Sequence, residues 1–168
     1  MENNPLLDIS RISGRRGSKS AGRFLTRIKQ MIQLKGNEMT FNFDREFQSM
    51  MQVNDLNTVI LLGHLNPDGD AAGSVMGLAH YIKVNYPQYK VMPYLADTLD
   101  KGPKKQVKLD KVFNPFEKPD VKEKYAVIVC DTAVLARMIG REYYEGAEAS
   151  IVIDHHASKE GYPSKCHL

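Results

Sequence analysis

Four short apolar runs, alternating with segments of helical periodicity, constrain the fold of this chain most strongly. The runs are bounded by polar residues, glycine or proline, which is typical of buried strands; they are TVILLG at 58–63, KVMPYL at 90–95, YAVIVC at 125–130 and SIVI at 150–153. Strands that alternate with helices favour an α/β fold with a mostly parallel sheet flanked by helices on both faces. Pro93 within the second run predicts that this strand lies at an edge or an end.

The segments between and beside these runs predict the helices. Apolar residues recur at helical spacing in three of them, 41–51, 70–85 and 132–144. The second helix should end at Asn85, because Pro87 follows closely and the residue before a proline resists helical geometry. The polar stretch 97–124 contains three prolines, so we expect loops and one short helix there.

Composition excludes several classes of protein. The chain has 168 residues, 42% of them apolar, and contains no apolar run of about 18 residues that could span a membrane. Its two cysteines, Cys130 and Cys166, are too few for a disulfide framework and favour a reducing compartment. The N-terminus lacks the apolar core of a secretory signal. We therefore expect a cytoplasmic protein with no membrane partner.

The basic charge is concentrated near the N-terminus. Residues 1–38 carry eight basic and three acidic residues, whereas the other 130 carry 15 basic and 17 acidic residues. Because residues 10–22 are rich in Ser, Gly and Arg, we expect 1–38 to be a basic, disordered extension. Met39 is an alternative start, since the globular pattern begins just after it. A basic arm that binds nucleic acid or a membrane surface is the functional alternative.

Acidic residues and histidines follow three of the four predicted strands. HLNPDGDA occupies 64–71 after the first strand, Asp131 follows the third, and Asp154-His155-His156 follows the fourth. The carboxyl ends of parallel strands form the ligand crevice of such sheets. We therefore expect these side chains to converge at one edge.

Clustered carboxylates resist ionisation unless a cation neutralises them. Mixed Asp and His ligands suit Mn, Fe, Zn or Co better than Ca, and a pair of such ions is the usual device for phosphoester hydrolysis. Taken singly, Asp68-Gly69 is a turn signal, Asp70 and Asp131 are possible helix caps, and the two histidines could occupy a loop. Their joint occurrence at three strand ends favours a metal site.

The three motifs resemble motifs I, II and III of the DHH phosphoesterase superfamily over about residues 40–162. The DGDA form and the helix after it are most similar to the bacterial oligoribonuclease/pAp phosphatases. The resemblance implies a Rossmann-like domain, of which 39–162 would be the N-terminal part, acting on short oligonucleotides or pAp. Manganese inorganic pyrophosphatases, which usually have Thr in place of Gly69, and cyclic-dinucleotide phosphodiesterases are the related alternatives.

The resemblance also implies a set of metal ligands. His64 and Asp68 would bind the first ion, Asp70 and His155 would bind the second, and Asp131 would bridge the two. The family prefers Mn²⁺, two ions per site, with Mg²⁺ or Co²⁺ as alternatives.

The remaining implied roles concern catalysis and substrate. His156 would contact the scissile phosphate and stabilise the transition state, and Asp154 would orient a neighbouring imidazole. Asn66 would lie beside the site and hydrogen-bond the substrate. The bridging Asp131 completes the catalytic set.

The C-terminus departs from the family pattern. Members continue with a fourth motif, whose Asp completes the second metal site, and with a separate DHH-associated domain. This sequence stops twelve residues after His156, and residues 163–168 are atypical. We therefore expect a truncated domain of weak or no activity, with a non-catalytic metal- or nucleotide-binding fragment as the alternative.

Overall fold

The computed structural model describes residues 42–156. The expectations for 1–38, Met39, Cys166 and 163–168 lie outside this range. Its elements, in chain order, are α1 (Phe43–Val53), β1 (Thr58–Leu62), α2 (Gly69–Asn85), β2 (Lys90–Tyr94), α3 (Lys101–Lys108), β3 (Tyr125–Cys130), a 3₁₀ turn (Leu135–Arg137), α4 (Arg141–Gly146) and β4 (Ala149–Ile153).

The four strands form one parallel sheet in the order β2-β1-β3-β4, which confirms the predicted α/β class. Pro93 pairs with Leu61 on the edge strand β2, as its lack of an N–H donor predicts. Every residue of β1 is buried, which explains why that run is apolar throughout rather than alternating. All four strands point the same way, so their carboxyl ends meet at one edge.

Alternate residues of each strand pack into two cores, one on either face of the sheet. Val59, Leu61 and Ile128 face a core that contains Phe47 of α1 and Val75 of α2. The opposite core is formed by the intervening strand residues with Met138, Ile139 and Tyr144. Helical segments thus cover both faces, and none of the helices within 42–156 is both long and apolar enough to cross a bilayer.

The helix predicted over 132–144 is wrong. The chain makes only the 3₁₀ turn at Leu135–Arg137 and then enters α4 at Arg141. The backbone leaves helical geometry in between, because Met138 is extended and Gly140 is left-handed with φ 60°. Met138 and Ile139 are buried as predicted, although Met138 reaches the core from extended backbone and Ile139 from a turn.

Long-range backbone hydrogen bonds explain this difference. The N–H of Leu65 donates to the carbonyl of Arg137 at 2.7 Å, and the N–H of Ile139 donates to the carbonyl of Gly63 at 3.1 Å. Met138 and His64 form an antiparallel bridge. These bonds to the loop after β1 replace the hydrogen bonds that a helix would have made locally, so a local apolar pattern could not predict them.

Gly140 should tolerate no side chain. A Cβ atom there would lie 2.8 Å from Cδ2 of Tyr143 and 3.2 Å from Cδ1 of Tyr94, in addition to the left-handed φ of 60°. We expect Gly140→Ala to lower the free energy of unfolding by about 1–2 kcal/mol from the backbone strain alone, measured by urea titration. Gly77→Ala is the control. No atom lies within 4 Å of that position, so this helical substitution should stabilise the protein by about 0.5–1 kcal/mol.

Candidate metal centre

The carboxyl ends of β1, β3 and β4 bring the predicted site residues together. Asp131 follows β3 directly, and β3 lies between β1 and β4 in the sheet. His64 follows β1 on one side of Asp131, and the Asp154–His156 segment follows β4 on the other. Asp131 therefore lies in the middle of the site.

Asp131 has an unusual backbone conformation. Its φ is 50°, a left-handed value that Asp adopts more readily than most residues. Its N–H donates to the carbonyl of Ile153 at 2.9 Å, which holds the residue against the end of β4. Its side chain is 7% exposed, and Oδ1 is buried without a hydrogen-bond partner in the described part of the chain. Strained backbone and an unsatisfied buried oxygen are typical of functional sites.

One group of potential metal ligands consists of His64, Asp68 and Asp131. One ligand atom from each lies within 4.8 Å of the other two. Nε2 of His64 lies 3.9 Å from Oδ2 of Asp131, and Nδ1 of His64 is buried with no hydrogen-bond partner among residues 42–156. This group contains the two residues predicted for the first ion and the predicted bridging residue.

Asp68 also begins helix α2. Its Oδ1 accepts hydrogen bonds from the N–H groups of Asp70 at 2.9 Å and Ala71 at 3.1 Å, so Asp68, rather than Asp70, is the N-cap. The hydrogen bond from Ala71, and to a smaller extent that from Asp70, lowers the pKa of Asp68. The carboxylate is therefore stabilised as an anion in the group that it forms with His64 and Asp131.

A second group lies on the other side of Asp131. Oδ1 of Asp131 is 3.3 Å from Nε2 of His155 and 3.7 Å from Nδ1 of His156, and one ligand atom from each of the three residues lies within 4.8 Å of the others. Asp70 reaches this group through Oδ2, 3.8 Å from Nε2 of His155. The group thus contains His155, with Asp70 beside it, and it adds His156, for which the resemblance implied a contact with substrate.

Asp154 is paired with His156. The Asp154 side chain is fully buried, and its Oδ1 lies 2.6 Å from Nδ1 of His156. This hydrogen bond is the main cause that raises the pKa of His156. Oδ2 of Asp154 is buried without a hydrogen-bond partner in the described range. A buried carboxylate that fixes one ring nitrogen orients an imidazole and strengthens its other nitrogen as a ligand or proton donor.

Asn66 and Arg137 complete the surroundings of the site. Asn66 is exposed in the loop between His64 and Asp68 and belongs to neither ligand group. The carbonyl of Leu65 in the same loop accepts a hydrogen bond from Oγ1 of Thr98 at 2.9 Å, which ties the loop to the segment after β2. Arg137 is exposed, and its charge offsets a small part of the rise in the pKa of His156 that the hydrogen bond with Asp154 causes.

Arg137 is the residue near the site that sequence reasoning missed. It falls within the predicted helix 132–144, and the sequence signals it only as a basic residue six positions after Asp131. Cys130 precedes Asp131 but is an interior residue. Burial raises its pKa to about 12, so the thiol stays protonated and is not a nucleophile.

The donor set fits a divalent cation. It combines imidazole nitrogens with carboxylate oxygens, the mixture that first-row transition metals prefer. Nδ1 of His64, Oδ1 of Asp131 and Oδ2 of Asp154 are buried without hydrogen-bond partners among residues 42–156, and such atoms are rare unless a bound species satisfies them. Asp131 belongs to both groups, so the two potential ion sites share one carboxylate.

Residues 58–167 match the DHH family, N-terminal domain. The chain therefore belongs to the DHH family, which confirms the resemblance of its motifs.

Similar proteins include the bifunctional oligoribonuclease and PAP phosphatase NrnA of Bacillus subtilis, 34% identical over 105 residues, covering 62% of this chain and 31% of that protein. A Streptococcus mutans protein described as a probable bifunctional oligoribonuclease and PAP phosphatase NrnA is 32% identical over 115 residues, covering 67% of this chain and 34% of that protein. The chain thus spans about a third of the length of these relatives.

A solved structure supports the fold. An exopolyphosphatase-related protein from Bacteroides fragilis superimposes with a TM-score of 0.53 at 17% identity, covering 74% of this chain and 38% of that one. At this identity the likeness concerns the fold alone.

Substitution can separate the helix cap of Asp68 from its predicted role as a metal ligand. Asp68→Ala removes both the cap and the anionic ligand, so we expect the metal-free protein to lose about 1 kcal/mol of unfolding free energy. Asp68→Asn keeps the cap, because Asn is among the best N-cap residues, and should unfold like the unsubstituted chain. Both variants should bind Mn²⁺ more weakly. Urea titration with chelator and calorimetric titration with MnCl₂ measure the two effects, and full Mn²⁺ affinity in Asp68→Asn would exclude Asp68 as a ligand.

Proposed function

We propose that this chain carries a two-metal phosphoesterase site that hydrolyses short oligonucleotides, removes the 3′-phosphate of pAp, or does both. The observation that carries the proposal is the position of Asp131 between two groups of Asp and His ligands. The names of the similar NrnA proteins, oligoribonuclease and PAP phosphatase, support these two substrate classes.

We assign the ligands as the family resemblance implies. His64 and Asp68 would hold one ion, Asp70 and His155 the other, and Asp131 both. Manganese is the ion we propose, because the donors mix nitrogen with oxygen, with Mg²⁺ or Co²⁺ as substitutes. Two bound ions of this kind supply a hydroxide nucleophile near neutral pH and neutralise charge on the phosphoryl oxygens.

His156 and Asp154 would act together on the substrate phosphate. The bond from Asp154 at 2.6 Å fixes the imidazole and raises the pKa of His156, so the ring holds its proton more firmly. A protonated imidazole beside the scissile phosphate is a charged donor to the oxygens that gain charge in the transition state. Because Asp154 is buried, it would orient His156 without reaching the substrate.

Arg137 would provide a further positive charge. It is exposed near His156, and its backbone is fixed by the hydrogen bond from the N–H of Leu65 to its carbonyl at 2.7 Å. Leu65 lies in the loop that carries Asn66 and Asp68. The backbone of Arg137 is thus tied to this loop, and its guanidinium would bind phosphate oxygens with two parallel hydrogen bonds.

The test is metal-dependent turnover by the full chain. With Mn²⁺, we expect weak but measurable mononucleotide release from an RNA dinucleotide or phosphate release from pAp, and no reaction with chelator. Asp131→Asn should reduce turnover by more than about 100-fold. Substituting residues that only hydrogen-bond to metal ligands already lowers metal affinity or activity about 10- to 100-fold. Asp120→Asn, an exposed carboxylate in the loop before β3, is the matched control.

Three results would contradict the proposal. Undiminished turnover by Asp131→Asn would remove the shared carboxylate from the mechanism. Mn²⁺ binding without turnover of any substrate would make the chain a metal-binding fragment. Turnover of pyrophosphate or a cyclic dinucleotide, with none of RNA or pAp, would retain the site but replace its substrate.

Arg137→Ala tests the additional cation. Loss of hydrogen bonds to a charged group costs about 1.5–3 kcal/mol, so kcat/KM should fall roughly 10- to 100-fold. Arg137→Lys should recover part of the loss, because it restores the charge without the planar donor pair. Arg141→Ala is the control, since Arg141 is also exposed but pairs with Glu145 at 2.7 Å. If Arg137→Ala and Arg141→Ala lowered kcat/KM equally, Arg137 would have no specific role in the site.

A further inference from the structure

Three lysines form a row on the outer face of helix α3. Lys101, Lys105 and Lys108 are exposed, and their spacing of four and three residues places them on one side of the helix. None of the three forms an ion pair with a carboxylate within residues 42–156. We call these residues the lysine row. It spans about 10 Å at the helical rise of 1.5 Å per residue.

The fold gains little from Lys101, whereas Lys105 and Lys108 lie in the last turn of α3, where positive charge suits the helix dipole. The remaining lysine of α3, Lys104, has a structural role, because its Nζ donates to the carbonyl of Asp97 at 2.6 Å and lies 5.8 Å from the centre of the Phe116 ring. Lys101 and Lys105, four residues apart, repel each other and disfavour the helix. Lys101 also lies in the first turn, which has no acidic residue, where a positive charge opposes the helix dipole.

The first turn of α3 packs against the first turn of α2, through a residue on the side of α3 opposite the lysine row. Cγ of Pro103 in α3 lies 3.6 Å from the position that a Cβ atom would occupy on Gly69, and Gly69 separates Asp68 from Asp70. Further along the two helices, Asp110 forms an ion pair with His80 of α2. Helix α3 therefore runs alongside α2, away from the edge of the sheet that carries the metal ligands.

We propose that the lysine row binds the phosphate backbone of a single-stranded oligonucleotide that extends from the metal centre. This inference rests on the proposed function and narrows it toward oligonucleotides of several residues, because pAp is too short to reach along the row. A row of exposed cations is complementary to successive phosphates, and the charge of Asp97 offsets that of Lys108 only in part. Lysines bind them as point charges, without reading sequence.

The test compares two triple variants with the same change in charge. K101Q/K105Q/K108Q removes the row and leaves Lys104 in place. K83Q/K90Q/K122Q is the control, with exposed lysines near the end of α2 and the amino ends of β2 and β3, away from the metal ligands. Binding of a fluorescein-labelled RNA octanucleotide is measured by anisotropy at several salt concentrations, with chelator present. The basic residues of 1–38 are identical in both variants, so their contribution cancels.

We expect the row variant to bind the octanucleotide at least tenfold more weakly than the control. The plot of log association constant against log salt concentration should become shallower by about 2. Each phosphate contact to a single strand contributes about 0.7 to that slope, and the variant loses three contacts. Equal affinities and slopes for the two variants would overturn the inference. The inference would also be overturned if the row variant lost binding to vesicles of phosphatidylcholine and phosphatidylserine but still bound the octanucleotide. The row would then bind a membrane surface.

Turnover separates this inference from the proposed function. With Mn²⁺, the row variant should keep the kcat and KM of the unsubstituted chain for the dinucleotide and pAp, and show a raised KM for the octanucleotide alone. If no variant turns over any substrate, the proposed function fails, and the anisotropy measurements still decide whether the row binds nucleic acid. A row variant impaired equally on all three substrates would overturn the inference, because the row would then act on the site itself.

Discussion

The parallel pairing of β3 with β1 on one side and β4 on the other is the constraint on which the site depends. The pairs Leu62–Val129 and Cys130–Ile153 bring the three strands to their ends at nearly the same level. The residues that follow must therefore lie close together, although Asp131 and His64 are far apart in sequence. Packing on both faces holds this alignment, since a slip of one residue would exchange the side chains that fill the two cores.

The segment between β3 and α4 connects this constraint to the rest of the molecule. It leaves the sheet through the left-handed Asp131 and returns to the loop after β1, where Met138 bridges His64. The same segment supplies Met138 and Ile139 to the second core. One stretch of irregular backbone thus orients Asp131, supports the loop that carries His64 and closes a face of the sheet.

Much of this arrangement could be predicted from sequence, for identifiable reasons. The four strands were recognisable because β-branched, apolar runs are bounded by polar residues, and Pro93 indicated the edge. The convergence of His64, Asp131 and His155 followed from their positions after parallel strands. The path of 132–144 could not be predicted, because it depends on backbone hydrogen bonds to Gly63 and Leu65 that leave no local pattern. Arg137 was missed for the same reason.

The helix cap made by Asp68, together with the ligand role proposed for it, has a consequence for which sequences this site can accept. A helix cap alone would admit Ser, Thr or Asn at this position, and an anionic ligand alone would admit Glu. Ser, Thr and Asn carry no negative charge, and the longer Glu is not among the favoured caps. Only Asp meets both requirements, because its short carboxylate reaches the N–H groups of Asp70 and Ala71 while retaining its charge. Position 68 should therefore vary far less than an exposed residue at a helix terminus ordinarily does, and substitutions elsewhere that shift the first turn of α2 should also alter metal affinity.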